Sequence, residues 1–211
     1  MSPILDPTTT ALVIVDVQNS FCHPRGSRAR AVGETAARPT IELVDAVVTL
    51  LELTRAHGMP VWFTAMEYWP NDRSSSQRKI GTGLDRAGSS LDVCRAGTWD
   101  AELVEEITRR ARPEDHLVVK HRSSAFFQTP LELQLRMAGV GTLLICGTTT
   151  SYCVESTVRD AHARDFDVVV PSDAVADTDP AAQEASLAAI DRFHGLVCRI
   201  EDVADFLGGV S

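Results

Sequence analysis

Short apolar runs of strand length recur along the chain, separated by longer stretches in which apolar residues return every three or four positions. The runs occupy residues 11–15 (ALVIV), 61–65 (VWFTA), 116–119 (HLVV), 142–146 (TLLIC), 167–170 (DVVV) and 196–200 (LVCRI). Such runs, apolar without strict alternation, are what strands covered on both faces look like. They predict βα units and a three-layer α/β/α architecture, with a six-stranded, mostly parallel, doubly wound sheet and the whole chain, 1–211, forming one domain. Residues 40–57 predict a helix that gathers Ile41, Val44, Val47, Val48, Leu51 and Ala56 near one face and ends at Gly58 and Pro60. Further helices are predicted over 100–110, 130–138, 151–164 and 179–194. Two polar insertions interrupt the rhythm, 22–39 and 67–98; the second holds the polar run 72–78 and glycines 81, 83, 88 and 97. Long loops within a compact domain usually serve a site.

Charge and composition then narrow the function. With 20 Lys plus Arg against 29 Asp plus Glu, the net charge of −9 and the lack of a basic stripe disfavour a nucleic-acid partner. No apolar run approaches the ~18–20 residues of a membrane span, so no membrane association is expected. Five cysteines, Cys22, Cys94, Cys146, Cys153 and Cys198, are odd in number and irregularly spaced, which fits a reducing cytoplasm and leaves the thiols free for chemistry. The six histidines form no metal-binding motif, and neither GxGxxG nor a phosphate-cradling GxxxxGK[ST] occurs. Neither metal nor cofactor is expected.

In an open parallel sheet the ligand crevice lies beyond the carboxyl ends of the strands. Asp16 follows ALVIV directly, Lys120 follows HLVV, and Cys153 comes after TLLIC at the predicted opening of a helix. Only Lys79 and Lys120 are lysines, so a lysine at a strand end carries weight. A thiol at a helix N-terminus near an ammonium is biased toward thiolate, and Asp16 can accept its proton and return one to a leaving nitrogen while Lys120 compensates the carboxylate. Each residue alone has an ordinary reading: a buried apolar Cys, a loop-capping Asp, a surface Lys. Their joint placement at one end of the sheet favours a site. Cys146 and Trp62–Phe63 read as core. Gln18, Phe21, Tyr68, Trp69, Phe126, Phe127 and Tyr152 are candidate pocket residues, and Arg25, Glu67, His121 and Arg122 are either pocket or surface.

The segments ALVIVDVQNSF and KHRSSAFFQTPLELQLRMAGVGTLLICGTTTSYCVESTVRDAHARDFDVVVPSDAVAD resemble the isochorismatase-like cysteine hydrolases, a group that includes nicotinamidases and N-carbamoylsarcosine, ureidoacrylate and biuret amidohydrolases as well as streptothricin hydrolase. The resemblance implies a triad of Asp16, Lys120 and Cys153, with Cys153 as nucleophile, Asp16 as proton shuttle and Lys120 as its electrostatic partner. It also implies a cis peptide at Thr148–Thr149 and an oxyanion hole made by the N–H groups of Thr149 and Cys153. Metal-dependent members carry an Asp-x-His pair after the second strand, where this chain reads TAMEYWPNDR, so the resemblance implies no zinc or iron. Members that cleave a vinyl ether do so without a cysteine nucleophile, so Cys153 favours hydrolysis of a carbon–nitrogen bond in a small amide, ureide or lactam. Two other readings stay open: a vinyl-ether hydrolase with Asp16 as general acid, and a non-catalytic ligand-binding or redox-sensing protein pairing Cys153 with Cys146. The resemblance further implies a homo-oligomer, a dimer or tetramer.

Overall fold

A computed structural model describes residues 5–69 and 93–208 of the chain. Within the predicted insertion 67–98, the run 72–78 and glycines 81, 83 and 88 lie outside the described residues. The predicted strands are present as β1 (Thr10–Val15), β2 (Val61–Met66), β3 (His116–Lys120), β4 (Thr142–Thr148), β5 (Asp167–Pro171) and β7 (Leu196–Cys198). A further two-residue strand, β6 (Val175–Ala176), pairs with the end of β4 and makes the sheet seven-stranded. All pairings are parallel, in the order β3-β2-β1-β4-β5-β7. The chain winds outward in one direction from β1 and in the other from β4, so the switch point falls between these two strands, where a crevice opens in such sheets.

Side-chain alternation along the strands feeds two cores. Ala11, Val13 and Val15 of β1 join Leu143 and Ile145 of β4 on one face. They pack there against α5 (Leu131–Met137), α6 (Glu155–His162) and α7 (Pro180–Phe193). Leu12, Ile14, Leu144 and Cys146 face the other layer, built on α3 (Glu34–Ala56) and α8 (Ile200–Gly208). Burial on both faces explains the continuous apolar runs. At about 25 cal/mol per Å² of apolar area these two cores are the main stabilising term, offset by the entropy of ordering the chain.

Several predicted boundaries move. Region 22–39 is helical rather than an open insertion: α1 (Asn19–Cys22) and α2 (Ser27–Val32) lead into α3, which begins before residue 40 and runs through Pro39. The predicted helix 100–110 is broken into a 3-10 turn, Trp99–Ala101, and the short α4 (Glu105–Thr108). Between them the backbone is extended because Asn19 N–H donates to the Glu102 carbonyl at 2.9 Å and Val104 N–H to the Val17 carbonyl at 3.1 Å. Tertiary pairing there overrides local helix propensity. Residues 199–200 leave the predicted last strand, and Ile200 starts α8. No helix among the described residues is long and apolar enough to cross a membrane.

Candidate active site

Asp16 is the first residue past β1, and its φ of 52° turns the chain sharply away from the sheet. Gly147 stands opposite Val15 in the neighbouring strand, and a Cβ there would meet the Val15 carbonyl oxygen at 2.1 Å. Its φ of 113° also disfavours any side chain, so close approach of β4 to the end of β1 requires glycine. Thr64 on β2 brackets the acid: its Oγ1 donates to Asp16 Oδ1 at 2.6 Å and accepts from Asp16 N–H at 3.2 Å.

Lys120 ends β3, two strands away from Asp16 in the sheet, and its stem crosses the end of β2 to reach the carboxylate. Its Nζ lies 2.7 Å from Asp16 Oδ2, both side chains are fully buried, and Nζ also donates to the carbonyls of Arg122 (3.1 Å) and Ser123 (2.9 Å). Burial disfavours the ammonium, but the Asp16 carboxylate first, with the Cys153 sulfur beside it, outweighs that and holds the Lys120 pKa above its ordinary value. Asp16 Oδ2 is the oxygen that faces this cation, while Oδ1 accepts from Thr64.

Cys153 lies in one turn of π-helix, Thr150–Val154, between the end of β4 and α6. This differs from the regular helix predicted over 151–164; π-turns of this kind are frequent at functional sites. The peptide Thr148–Thr149 is cis. Thr157 ties the turn to the loop after Lys120: its Oγ1 donates to the Cys153 carbonyl at 2.7 Å and accepts from Ala125 N–H at 3.0 Å. The thiol is buried and interacts with the side chains of both Asp16 and Lys120. Burial raises its pKa to about 12, with Lys120 opposing and Asp16 adding to the rise. Desolvation thus favours the thiol, in contrast to the thiolate bias expected from a helix terminus and an ammonium.

The candidate pocket residues separate into two groups. Gln18 is buried and its amide is engaged by the protein: Nε2 donates to the Met66 (2.9 Å) and Ala101 (2.6 Å) carbonyls, and Oε1 accepts from Met66 N–H (2.9 Å). It holds strand ends together. Phe126 lies in the core, 5.8 Å from the Phe166 ring, and Phe21 packs against both core clusters. Tyr68 is buried, with its N–H donating to the Cys94 carbonyl. Trp69, Phe127 and Tyr152 are exposed, Trp69 with its ring 4.1 Å from that of His121. Burial raises the Tyr152 pKa, with Cys153 adding to the rise and Lys120 and Arg122 opposing it, so its hydroxyl belongs to the same electrostatic neighbourhood. His121 donates to the Glu67 carbonyl at 2.8 Å, and Arg25 stacks 5.4 Å from the Trp99 ring.

Two residues were not singled out by sequence. Thr64 reads as strand interior, though a hydroxyl in an otherwise apolar buried run signals a required partner. Asp177, buried beside the π-turn, has no local motif of its own. Among the described residues, no three His, Cys, Asp or Glu side chains cluster so as to hold a metal. Cys146 faces the core layer opposite the one that includes Cys153, which removes the basis for pairing them, and all five cysteines are free.

A parallel α/β sheet with acid, ammonium and thiol gathered at its switch point defines a hydrolase-like architecture. Residues 10–202 match the isochorismatase domain model. The chain is 35% identical over 216 aligned positions to ureidoacrylate amidohydrolase RutB of Methylobacterium radiotolerans, covering 96% of this chain and 80% of that protein. A cysteine hydrolase from Pseudomonas syringae superposes with a TM-score of 0.79 at 26% identity, covering 98% of this chain and 96% of the other. N-carbamoylsarcosine amidase from Thermoplasma acidophilum does so with a TM-score of 0.70 at 26% identity, covering 92% and 97%. The chain belongs to the isochorismatase family of hydrolases and has amidohydrolases among its relatives.

Proposed function

We infer that this protein is a cysteine amidohydrolase that cleaves the carbon–nitrogen bond of a small amide or ureide. The observation that carries the reading is the buried contact of Asp16 with Lys120 at 2.7 Å, with the Cys153 thiol interacting with both. Because burial favours the thiol over the thiolate, attack calls for a base at the moment of bond formation, and the Asp16 carboxylate, in contact with the thiol, is that base. Cys153 Sγ bonds to the carbonyl carbon as its proton passes to Asp16. The tetrahedral oxyanion lies against the N–H groups of Thr149 and Cys153. Collapse breaks the carbon–nitrogen bond, and Asp16 returns the proton to the departing amine. Water, deprotonated by Asp16, then cleaves the thioester and restores the thiol. Lys120 holds Asp16 in place throughout and keeps a negative charge tolerable in a dry site.

Ureidoacrylate and N-carbamoylsarcosine are the substrates to try first, because relatives are named for them. Ammonia release from these two and from nicotinamide, measured for wild type and Cys153→Ala, tests the reading. Loss of turnover in the variant, together with a transient mass increase on the Cys153 peptide of the wild type, is expected. Undiminished turnover in the variant would instead favour Asp16 acting alone as general acid.

A further inference from the structure

The turn that carries Cys153 has its own clamp. Ser151, its second residue, donates to Asp177 Oδ2 twice, from N–H at 3.0 Å and from Oγ at 2.6 Å. Asp177 is buried, 5% exposed, and its other oxygen accepts from Asp179 N–H at 3.1 Å. These partners are hydrogen-bond donors, and among the described residues none is a cation. A buried carboxylate carries a desolvation cost that such bonds must offset, so the arrangement is selective about geometry. Asp177 also directly follows β6, which pairs Val175 with Gly147 and Ala176 with Thr148, and Thr148 Oγ1 donates to the Ala176 carbonyl at 3.2 Å. Residues 175–177 thus grip both the strand end before the cis peptide and the turn after it. The next residue but one, Asp179, caps α7 by accepting from Ala181 N–H at 2.9 Å, which anchors the grip to a helix.

We propose that Asp177 is a positioning residue for the nucleophile turn, fixing through Ser151 the backbone that carries the Cys153 thiol and the oxyanion donors. This rests on the reading of Cys153 as nucleophile. Since the oxyanion exists only after attack, a slackened turn lowers kcat and leaves ground-state binding, and hence KM, nearly intact.

The test compares kcat and KM for Asp177→Ala, Asp177→Asn and Ser151→Ala on whichever of ureidoacrylate, N-carbamoylsarcosine and nicotinamide the wild type hydrolyses fastest. Folding of each is checked by circular dichroism at the assay temperature, and Cys153→Ala is run alongside. Asp177→Ala is expected to lower kcat about 10–100-fold with KM within about threefold, the range that misplacement of reacting groups by an ångström produces. Asp177→Asn keeps an oxygen for Ser151 and is expected to recover most of the loss. Ser151→Ala, which keeps the N–H bond, is expected to show a smaller fall in kcat at unchanged KM and serves if Asp177→Ala fails to fold. Wild-type kcat in folded Asp177→Ala or in Ser151→Ala overturns the proposal while Cys153→Ala is inactive. Turnover by Cys153→Ala overturns the nucleophile reading itself.

Discussion

Replacing Lys120 by Met would strip the cation from a fully buried carboxylate. Both Lys120 and Asp16 side chains are fully buried and 2.7 Å apart. Breaking such a pair from one side typically costs about 3–5 kcal/mol, because the remaining charge is left desolvated. Lys120→Met also removes the donor to the Arg122 and Ser123 carbonyls, but Arg122 is exposed and water can replace part of that loss. Asp16→Asn should cost less, about 2–3 kcal/mol, since the ammonium keeps those two carbonyls as partners. The double variant, Asp16→Asn with Lys120→Met, removes both charges and should lose less than the sum of the two single losses, by about 2–3 kcal/mol. Urea denaturation at pH 7 measures all three against wild type, with a constant m-value required for the comparison. Single losses under about 1 kcal/mol, or additivity within about 0.5 kcal/mol, would refute the desolvated pair.

Three further outcomes follow from the site and the strands that carry it. With burial pushing the Cys153 pKa up to about 12, its thiolate is scarcer at pH 8 than that of an ordinary thiol. If Asp16 accepts the proton during attack, Asp16→Asn slows iodoacetamide alkylation of Cys153 at pH 8, followed by peptide mass spectrometry. A preformed thiolate predicts the reverse, because the Asp16 charge raises the thiol's pKa and its removal would speed the reaction. The sign for folding is fixed too: a raised native pKa stabilises the fold fully below pH 9.0, and that share is lost as pH climbs through about 12. Gly147→Ala places a Cβ 2.1 Å from the Val15 carbonyl at a φ of 113°, and is expected to cost about 3 kcal/mol or more in urea denaturation.

How much of this was legible in the chain depended on whether the controlling interaction is local. Strands such as Leu12–Val15 and Leu143–Cys146 are written as apolar runs because both faces are covered, and a run of that kind is visible without knowing its neighbours. Asp16 and Lys120 were legible because each directly follows an apolar run, which puts it at the carboxyl end of a parallel strand, and Cys153 because it lies in the turn that follows another such run. The extended stretch at 102–104 was not, since its hydrogen-bond partners are Val17 and Asn19, some 85 residues earlier in the chain. Nor was the engaged amide of Gln18, whose partners come from β2 and the Trp99–Ala101 turn.

The sequence by itself determined the layered parallel sheet and the kinds of reactive group at its rim, through patterns of hydrophobicity that act over a few residues. Only the tertiary structure decided that the Lys120 stem spans β2 to reach Asp16, that Thr64 and Asp177 brace acid and turn, and that burial pushes the Cys153 thiol's pKa up. The reason is electrostatic: in a dehydrated cleft a charge is governed by whichever groups surround it in space, and sequence order does not fix that company.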